Sequence, residues 1–131
     1  MRLNQVTLPV NDLSLACNFY LTLGFIQIVS SNHYARFMCP DGDATFSLFK
    51  QDKPQLVDDA VNSSVIYFEH EALDEWVNDL LTKGVEFYQL PVDAGYLWRE
   101  AILFDPSGNK IKLYWAGENR LNPPWRVNIK K

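Results

Sequence analysis

The chain has 131 residues, of which 47% are hydrophobic and 21% charged, proportions that suit a globular protein with enough chain for one ordinary domain or two very small ones sharing a core. Sixteen acidic against twelve basic residues give a formal net charge of −4, which argues against a surface that tracks nucleic-acid phosphates, since that requires clustered Lys and Arg and the basic cluster here is confined to 126–131. The N-terminal segment alternates polar and apolar residues and no run reaches a membrane-spanning length, so the expectation is a cytoplasmic protein with neither a nucleic-acid nor a membrane partner.

Residues 3–10 alternate, with Val6, Leu8 and Val10 on one side and Gln5, Thr7 and Pro9 on the other, the pattern of a half-buried strand. Asp12 is placed to cap a helix whose stripe is Ala16, Phe19, Tyr20 and Leu23, and Gly24 to end it. Cys17 in this helix and Cys39 further on have no CxxC spacing and are read as reduced structural thiols. Three short apolar runs follow at 25–30, 34–39 and 44–49, separated by Ser31-Asn32-His33 and Asp41-Gly42-Asp43, the polar and Gly-bearing signals of hairpin turns. The first module is therefore β-α-β-β-β, spanning 1–50, and the polar segment 51–62 reads as a linker.

The order then repeats over 63–115. A strand at 64–69 precedes a helical face of Leu73, Trp76, Val77, Leu80 and Leu81 closed by Gly84, and a strand at 85–90 follows. Strands at 98–104 and 110–115 are joined by the strong turn Asp105-Pro106-Ser107-Gly108-Asn109. The tail 116–131 is irregular, with Asn122-Pro123-Pro124-Trp125 incompatible with a helix. Gly24 recurs as Gly84 and Leu13 as Leu73 at one constant displacement, so the chain reads as two copies of one module. Two copies are too few for a solenoid, and pairing them around a shared surface is the economical way to bury both apolar faces.

The opening VTLPVNDLSLACNFYLTLGF, the closing FDPSGNKIKLYW and the repeated segment from Glu69 to Gly84 resemble the vicinal oxygen chelate superfamily of glyoxalases, bleomycin- and fosfomycin-resistance proteins and extradiol dioxygenases. The resemblance implies an α+β fold in which two paired β-α-β-β-β modules form a cup-shaped mixed sheet, with helices outside and a ligand inside, in a homodimer. It also implies four metal-ligand positions, one on the first and one on the last strand of each module, which fall on Gln5, Ser47, Val65 and Lys112. Metal-dependent members place His or Gln, Glu, His and Glu there. Val65 has no lone pair, and the Lys112 ammonium donates three hydrogen bonds and accepts none, so no metal and no cofactor are expected. His33 and His70, in a turn and at a strand end, are read as surface residues rather than substitute ligands.

Strand alternation says what faces the interior instead. With Val6, Leu8, Ile66, Phe68, Ile111 and Leu113 beneath the helices, Thr7, Val65, Tyr67, Glu69, Lys112 and Tyr114 look the other way. Trp98, Glu100, Ile102 and Phe104 share one side of their strand, which the family motif sets in the cup. The tight turn after that strand makes Glu100 a diagonal neighbour of Lys112. Two readings follow: Lys112 and Glu100 neutralise each other, or Lys112 or Arg99 meets an anionic or hydrogen-bonding group on a ligand while Trp98, Tyr67, Tyr114 and Phe104 stack on its body. Gln5 joins these as a ligand-facing residue, Phe19, Tyr20 and Trp76 are assigned to the core, and Trp125 is expected to cover the cup mouth or a partner subunit. The function expected is metal-independent binding of a small molecule in an aromatic-lined cup. The alternatives are a lyase, isomerase or dioxygenase acting on a small oxygenated substrate, through a metal bound at shifted positions or through Glu100 and Glu69 as the candidate catalytic carboxylates, and a dimer whose cup is filled by its own side chains.

Overall fold

The computed structural model describes residues 1–52 and 63–130; the linker expected at 51–62 therefore lies, from residue 53 on, outside the described residues. The chain divides into two compact units, the first comprising Met1–Val65 and Phe104–Lys110, the second Ile66–Leu103 and the residues from Ile111 on. Each carries a four-stranded sheet and one α-helix, giving an α+β protein.

In unit 1, β1 (Gln5–Val10), α1 (Leu13–Leu23), β2 (Ile26–Ser30), β3 (Tyr34–Met38) and β4 (Thr45–Lys50) build a sheet of order β1-β4-β3-β2. β1 pairs parallel to β4, and β3 is antiparallel to both β2 and β4. The helix starts where Asp12 accepts a hydrogen bond from the Leu15 amide at 3.0 Å. It stops at Gly24, whose φ of 107° few other residues adopt without strain. Ala16, Tyr20 and Leu23 are buried from the helix, Leu8, Val10, Ala35, Phe37, Phe46 and Leu48 from the strands. The centre of this core is aromatic: the Phe46 ring stacks on Phe37 with centroids 5.3 Å apart and takes the edge of Phe25 at 5.1 Å.

A fully buried tyrosine must place its hydroxyl somewhere, and Tyr20 places it on Asp105 at 2.8 Å. Asp105 opens the turn between the last two strands and is only 4% exposed. Its Oδ2 also accepts from Asn109 Nδ2 at 2.8 Å, and its Oδ1 accepts from the Ser107 and Asn109 amides at 2.9 Å each. Asn109 Nδ2 reaches Pro9 O at 2.9 Å, and Ser107 Oγ accepts from the Asn11 amide at 2.8 Å. The turn read from sequence as a simple reversal is thus the polar heart of unit 1.

Unit 2 repeats the strand order, β5-β8-β7-β6, with β5 (Val65–Glu69), α2 (Leu73–Thr82), β6 (Gln89–Asp93), β7 (Arg99–Phe104) and β8 (Lys110–Trp115). Leu73, Val77 and Leu80 are buried on α2, and Ala101, Leu103, Ile111 and Leu113 on the strands, whereas Leu81, expected on the helix's buried face, is 41% exposed. The largest departure from expectation is β6, which begins at Gln89 rather than at residue 85. The Val85 amide is still bonded to Leu80 O at 3.0 Å, so the chain leaves the helix end before it can join the sheet. The strand then runs through Pro91, where sequence reading stopped it. β6 lies at the sheet's edge with a register shift between Gln89 and Val92, and an edge tolerates the missing donor of a proline. The tail carries one short 3-10 turn, Gly117–Asn119. No helix among the described residues is long and apolar enough to cross a membrane.

The Tyr20–Asp105 bond yields a stability prediction. Tyr20→Phe keeps the ring packing and removes one donor from a buried carboxylate, so urea unfolding is expected to show a loss of about 2 kcal/mol at unchanged denaturant slope.

Candidate functional site

Alternation along β7 and β8 separates structural from chemical side chains. Arg99 sits on the side of α2, where Nε and Nη2 bond Asp74 at 3.0 and 3.2 Å and Nη1 bonds Asp93 at 3.1 Å. That corrects the expectation of Arg99 as the group that meets a ligand anion, because its charge is already matched by Asp74 and Asp93. Glu100, one residue on, points the other way and pairs with Lys112 Nζ at 3.1 Å through Oε1. The Lys112 side chain is 15% and that of Glu100 7% exposed. Desolvation, the largest influence, works against the Lys112 ammonium, but the hydrogen bond and charge of Glu100 outweigh it and hold its pKa above the ordinary lysine value.

Four aromatic rings surround this pair. Trp98 stacks on Tyr114 with centroids 4.8 Å apart and planes 20° from parallel. Tyr67 meets both edge-on, at 6.0 and 5.5 Å, and its ring lies 5.6 Å from Lys112 Nζ. Tyr96 meets Trp98 at 6.0 Å and donates its hydroxyl to Glu100 Oε1, a bond that pushes the Tyr96 phenol up. Tyr96 and Trp98 flank Leu97, whose φ of 68° is unusual for a residue with a side chain and costs on the order of 1 kcal/mol. Glu100 Oε2 is buried without a partner among the described residues.

Tyr67, Tyr96 and Trp98 open onto a pocket of about 310 Å³, completed from the tail by Asn119, Arg120, Pro123 and Trp125. The Trp98 indole donates to Asn119 O at 3.3 Å, and Arg120 lies 3.9 Å from Glu69. Trp125 stands on the pocket wall and leaves the pocket open. Of the residues expected from sequence, Tyr67, Trp98, Glu100, Lys112 and Tyr114 therefore come together, with Glu69 near the pocket through Arg120. Phe104 belongs to unit 1 and is 43% exposed. Tyr96, Asn119 and Arg120 escaped the sequence reading because they lie outside the strands, where alternation carries no information.

Gln5, Ser47 and Val65 lie in unit 1. Gln5 Nε2 donates to Ser47 Oγ at 2.8 Å, and Gln5 Oε1 accepts from Thr45 Oγ1. Ser47 in turn is bonded to the hydroxyl of Tyr34, which accepts from Arg36. Tyr34 and Arg36 were missed, although the i, i+2 spacing opposite Ala35 and Phe37 would have set both on the face of Ser47. His70 Nδ1 accepts from the Ala72 amide at 2.9 Å and its ring lies 5.2 Å from that of Trp76.

A family profile, the Glyoxalase/Bleomycin resistance protein/Dioxygenase superfamily, matches residues 2–113. The chain belongs to this superfamily. Among solved structures, a glyoxalase/bleomycin resistance protein/dioxygenase from Nocardioides is similar to it at 21% identity and a TM-score of 0.74, over 98% of this chain and 90% of that one. A lactoylglutathione lyase from Agrobacterium tumefaciens is similar at 18% identity and a TM-score of 0.71, over 87% of this chain and 92% of that one. A virulence protein from Salmonella typhimurium shows 22% identity and a TM-score of 0.71, over 89% and 98%. Identities this low speak for the fold alone. No curated protein matches the sequence significantly.

Metal-dependent members of the superfamily would draw ligands from Gln5, Ser47, Val65 and Lys112. That donor set does not fit a divalent ion: Val65 carries no donor atom, Lys112 is a cation bonded to Glu100, and both ends of the Gln5 amide are engaged.

The buried ion pair predicts its own mutational signature. Lys112→Met leaves the Glu100 carboxylate without its cation and is expected to cost about 3 kcal/mol in chemical denaturation, most of it recovered when Glu100→Met is added.

Proposed function

We propose that this superfamily member is a metal-independent small-molecule-binding protein whose ligand, a planar aromatic or cationic compound, lodges in the pocket of unit 2. The observation that carries this reading is the open, aromatic-walled pocket at Tyr67, Tyr96, Trp98 and Trp125, with Arg120 and Asn119 as its polar groups. Stacking walls with a few orienting polar atoms are how proteins hold flat organic molecules. Aromatic faces also receive cations, as Tyr67 receives Lys112. The Lys112–Glu100 pair behind the rings supplies polarity to a ligand without adding net charge. Val65 and Lys112 at the superfamily's ligand positions support independence from metal. The reading includes a homodimer working in the cytoplasm, where Cys17 and Cys39, both unbonded to another cysteine, stay reduced.

Tryptophan fluorescence tests the reading directly, because Trp98 and Trp125 both line the pocket. A panel of planar aromatic and cationic compounds should quench emission saturably, and Trp98→Ala should weaken binding of the best of them about tenfold or more. Purified protein should carry no stoichiometric Zn, Ni, Fe or Mn, and one tightly bound equivalent would overturn the metal-independent part of the proposal.

A further inference from the structure

Unit 1 holds a second cavity, of about 330 Å³, on its helix side, between α1 and the edge strand β2. It lies across the sheet from Ser47: Ala35, which lines it, stands opposite Leu48 in the buried layer, whereas Ser47 stands opposite Arg36 on the other face. Ser14, Cys17, Asn18 and Leu21 supply the helical wall at the spacing of one helix face, beside the buried stripe of Ala16, Tyr20 and Leu23. Gln27 and Ser30 of β2 supply the strand wall, continued by the Ser31-Asn32 turn. Ala35 is only 1% exposed, and its small side chain leaves room that a larger residue would fill.

Three residues apart on a regular strand, Gln27 and Ser30 would face opposite sides of the sheet. The pairing of β2 with β3 slips by one residue between Gln27 and Val29, so Gln27 stands opposite Phe37 and Ser30 opposite Ala35. Phe37 and Ala35 both point into the core, and the slip therefore turns both polar side chains to the helix side. Gln27 Nε2 secures the irregular stretch by donating to Val29 O at 3.2 Å, and it lies 3.8 Å from Cys17 Sγ. Gln27 Oε1 and the side chains of Asn18, Ser30 and Asn32 have no protein partner among the described residues, so the hydrogen-bonding capacity of this wall is unspent.

We propose that this cavity binds a neutral polyhydroxylated compound, a monosaccharide or sugar alcohol, with Asn18, Gln27 and Ser30 as its hydrogen-bonding contacts. Among the described residues no charged side chain lines the cavity, so an ion entering it would give up water without meeting a counter-charge. No aromatic ring lines it either, which sets it apart from the stacking site of unit 2. Side-chain amides and hydroxyls offer donors and acceptors side by side, and a sugar hydroxyl, which both donates and accepts, uses the two together. Leu13 and Leu21 give the C–H surface of such a ring an apolar wall. The volume is at the lower end for small-molecule sites and suits one ring rather than a chain of them. None of these residues lines the unit 2 pocket, so the two sites stand or fall separately.

Cys17 on the cavity wall is a built-in reporter, and Cys39, which does not line the cavity, is the reference thiol. The folded full chain is alkylated with iodoacetamide in mildly alkaline buffer, alone and with D-glucose, D-mannitol or myo-inositol, and each thiol is read by peptide mass spectrometry. At least one of the three compounds should slow Cys17 saturably, by about fivefold or more, and leave Cys39 at its original rate. Polyols also stabilise folded proteins through exclusion from their surface, and that effect would slow both thiols together. Asn18 and Ser30 are exposed, so the double variant Asn18→Ala, Ser30→Ala should keep its circular dichroism spectrum while losing the protection. Should it not fold, Asn18→Ala alone should weaken the protection about threefold. Trp98→Ala, which damages the unit 2 pocket, should leave it intact. Protection of Cys17 by none of the three compounds, slowing shared equally by Cys39, or protection that survives in the folded double variant or disappears in folded Trp98→Ala overturns the proposal.

Discussion

Four donors converge on the carboxylate of Asp105, and the order of unit 1 depends on that convergence. A buried carboxylate is costly unless its oxygens are answered, and here one turn and one helix answer both. Because Tyr20 supplies one of the donors, α1 is oriented by a directional bond as well as by its apolar stripe. Asn109 adds the carbonyl of Pro9 and Ser107 the amide of Asn11, so the end of β1 and the entry to α1 meet the same short turn. Packing alone would leave the rotation of the helix over the sheet loosely defined; the hydrogen bonds remove that freedom.

Each sheet then divides its labour by strand alternation. One face is apolar and closed, with Phe37 against Phe46 in unit 1 and Leu103, Ile111 and Leu113 buried in unit 2. The other face is where polar and aromatic groups collect, since every second side chain on a strand faces away from the core. In unit 2 that face holds a matched ion pair among rings, and in unit 1 an arginine whose oxygen partner is a tyrosine. The two tyrosines of unit 1 show how strongly surroundings decide chemistry: Tyr20, buried beside a carboxylate, is held as a neutral donor, while Tyr34, beside a guanidinium and a serine hydroxyl, is eased toward ionisation.

Membership of the superfamily establishes the fold and leaves the chemistry to the residues at the site. Lys112 brings in a charge that Glu100 balances, and the pair together is neutral, so the rest of this face offers ring area and hydrogen-bonding groups. The strained Leu97 fits that picture: its backbone conformation sets two aromatic side chains, Tyr96 and Trp98, on either side of one turn, and the hydroxyl of Tyr96 and the indole of Trp98 are both tied down.

The elements, their order and the repeat were legible from local pattern, because periodicity, the Asp12 cap and the Gly24 stop act within a few residues. The meeting of Glu100 with Lys112 was legible too, since a tight turn between adjacent strands leaves little choice of register. β6 was misplaced because the link from Val85 back to the helix end and the tolerance of Pro91 at an edge both depend on where the strand sits in the sheet. Tyr96 and Arg120 could not be read as pocket residues, nor Asp105 as the hub of a core, because loops have no period and nothing in a turn sequence says what packs on it. The chain by itself determined which faces are apolar and which residues can carry charge. Beyond the Glu100–Lys112 pair, tertiary structure decided which polar and charged groups found partners, as Tyr20 found Asp105 and Arg99 found Asp74, because hydrogen bonds between residues far apart in sequence form only once the strands and turns are in place.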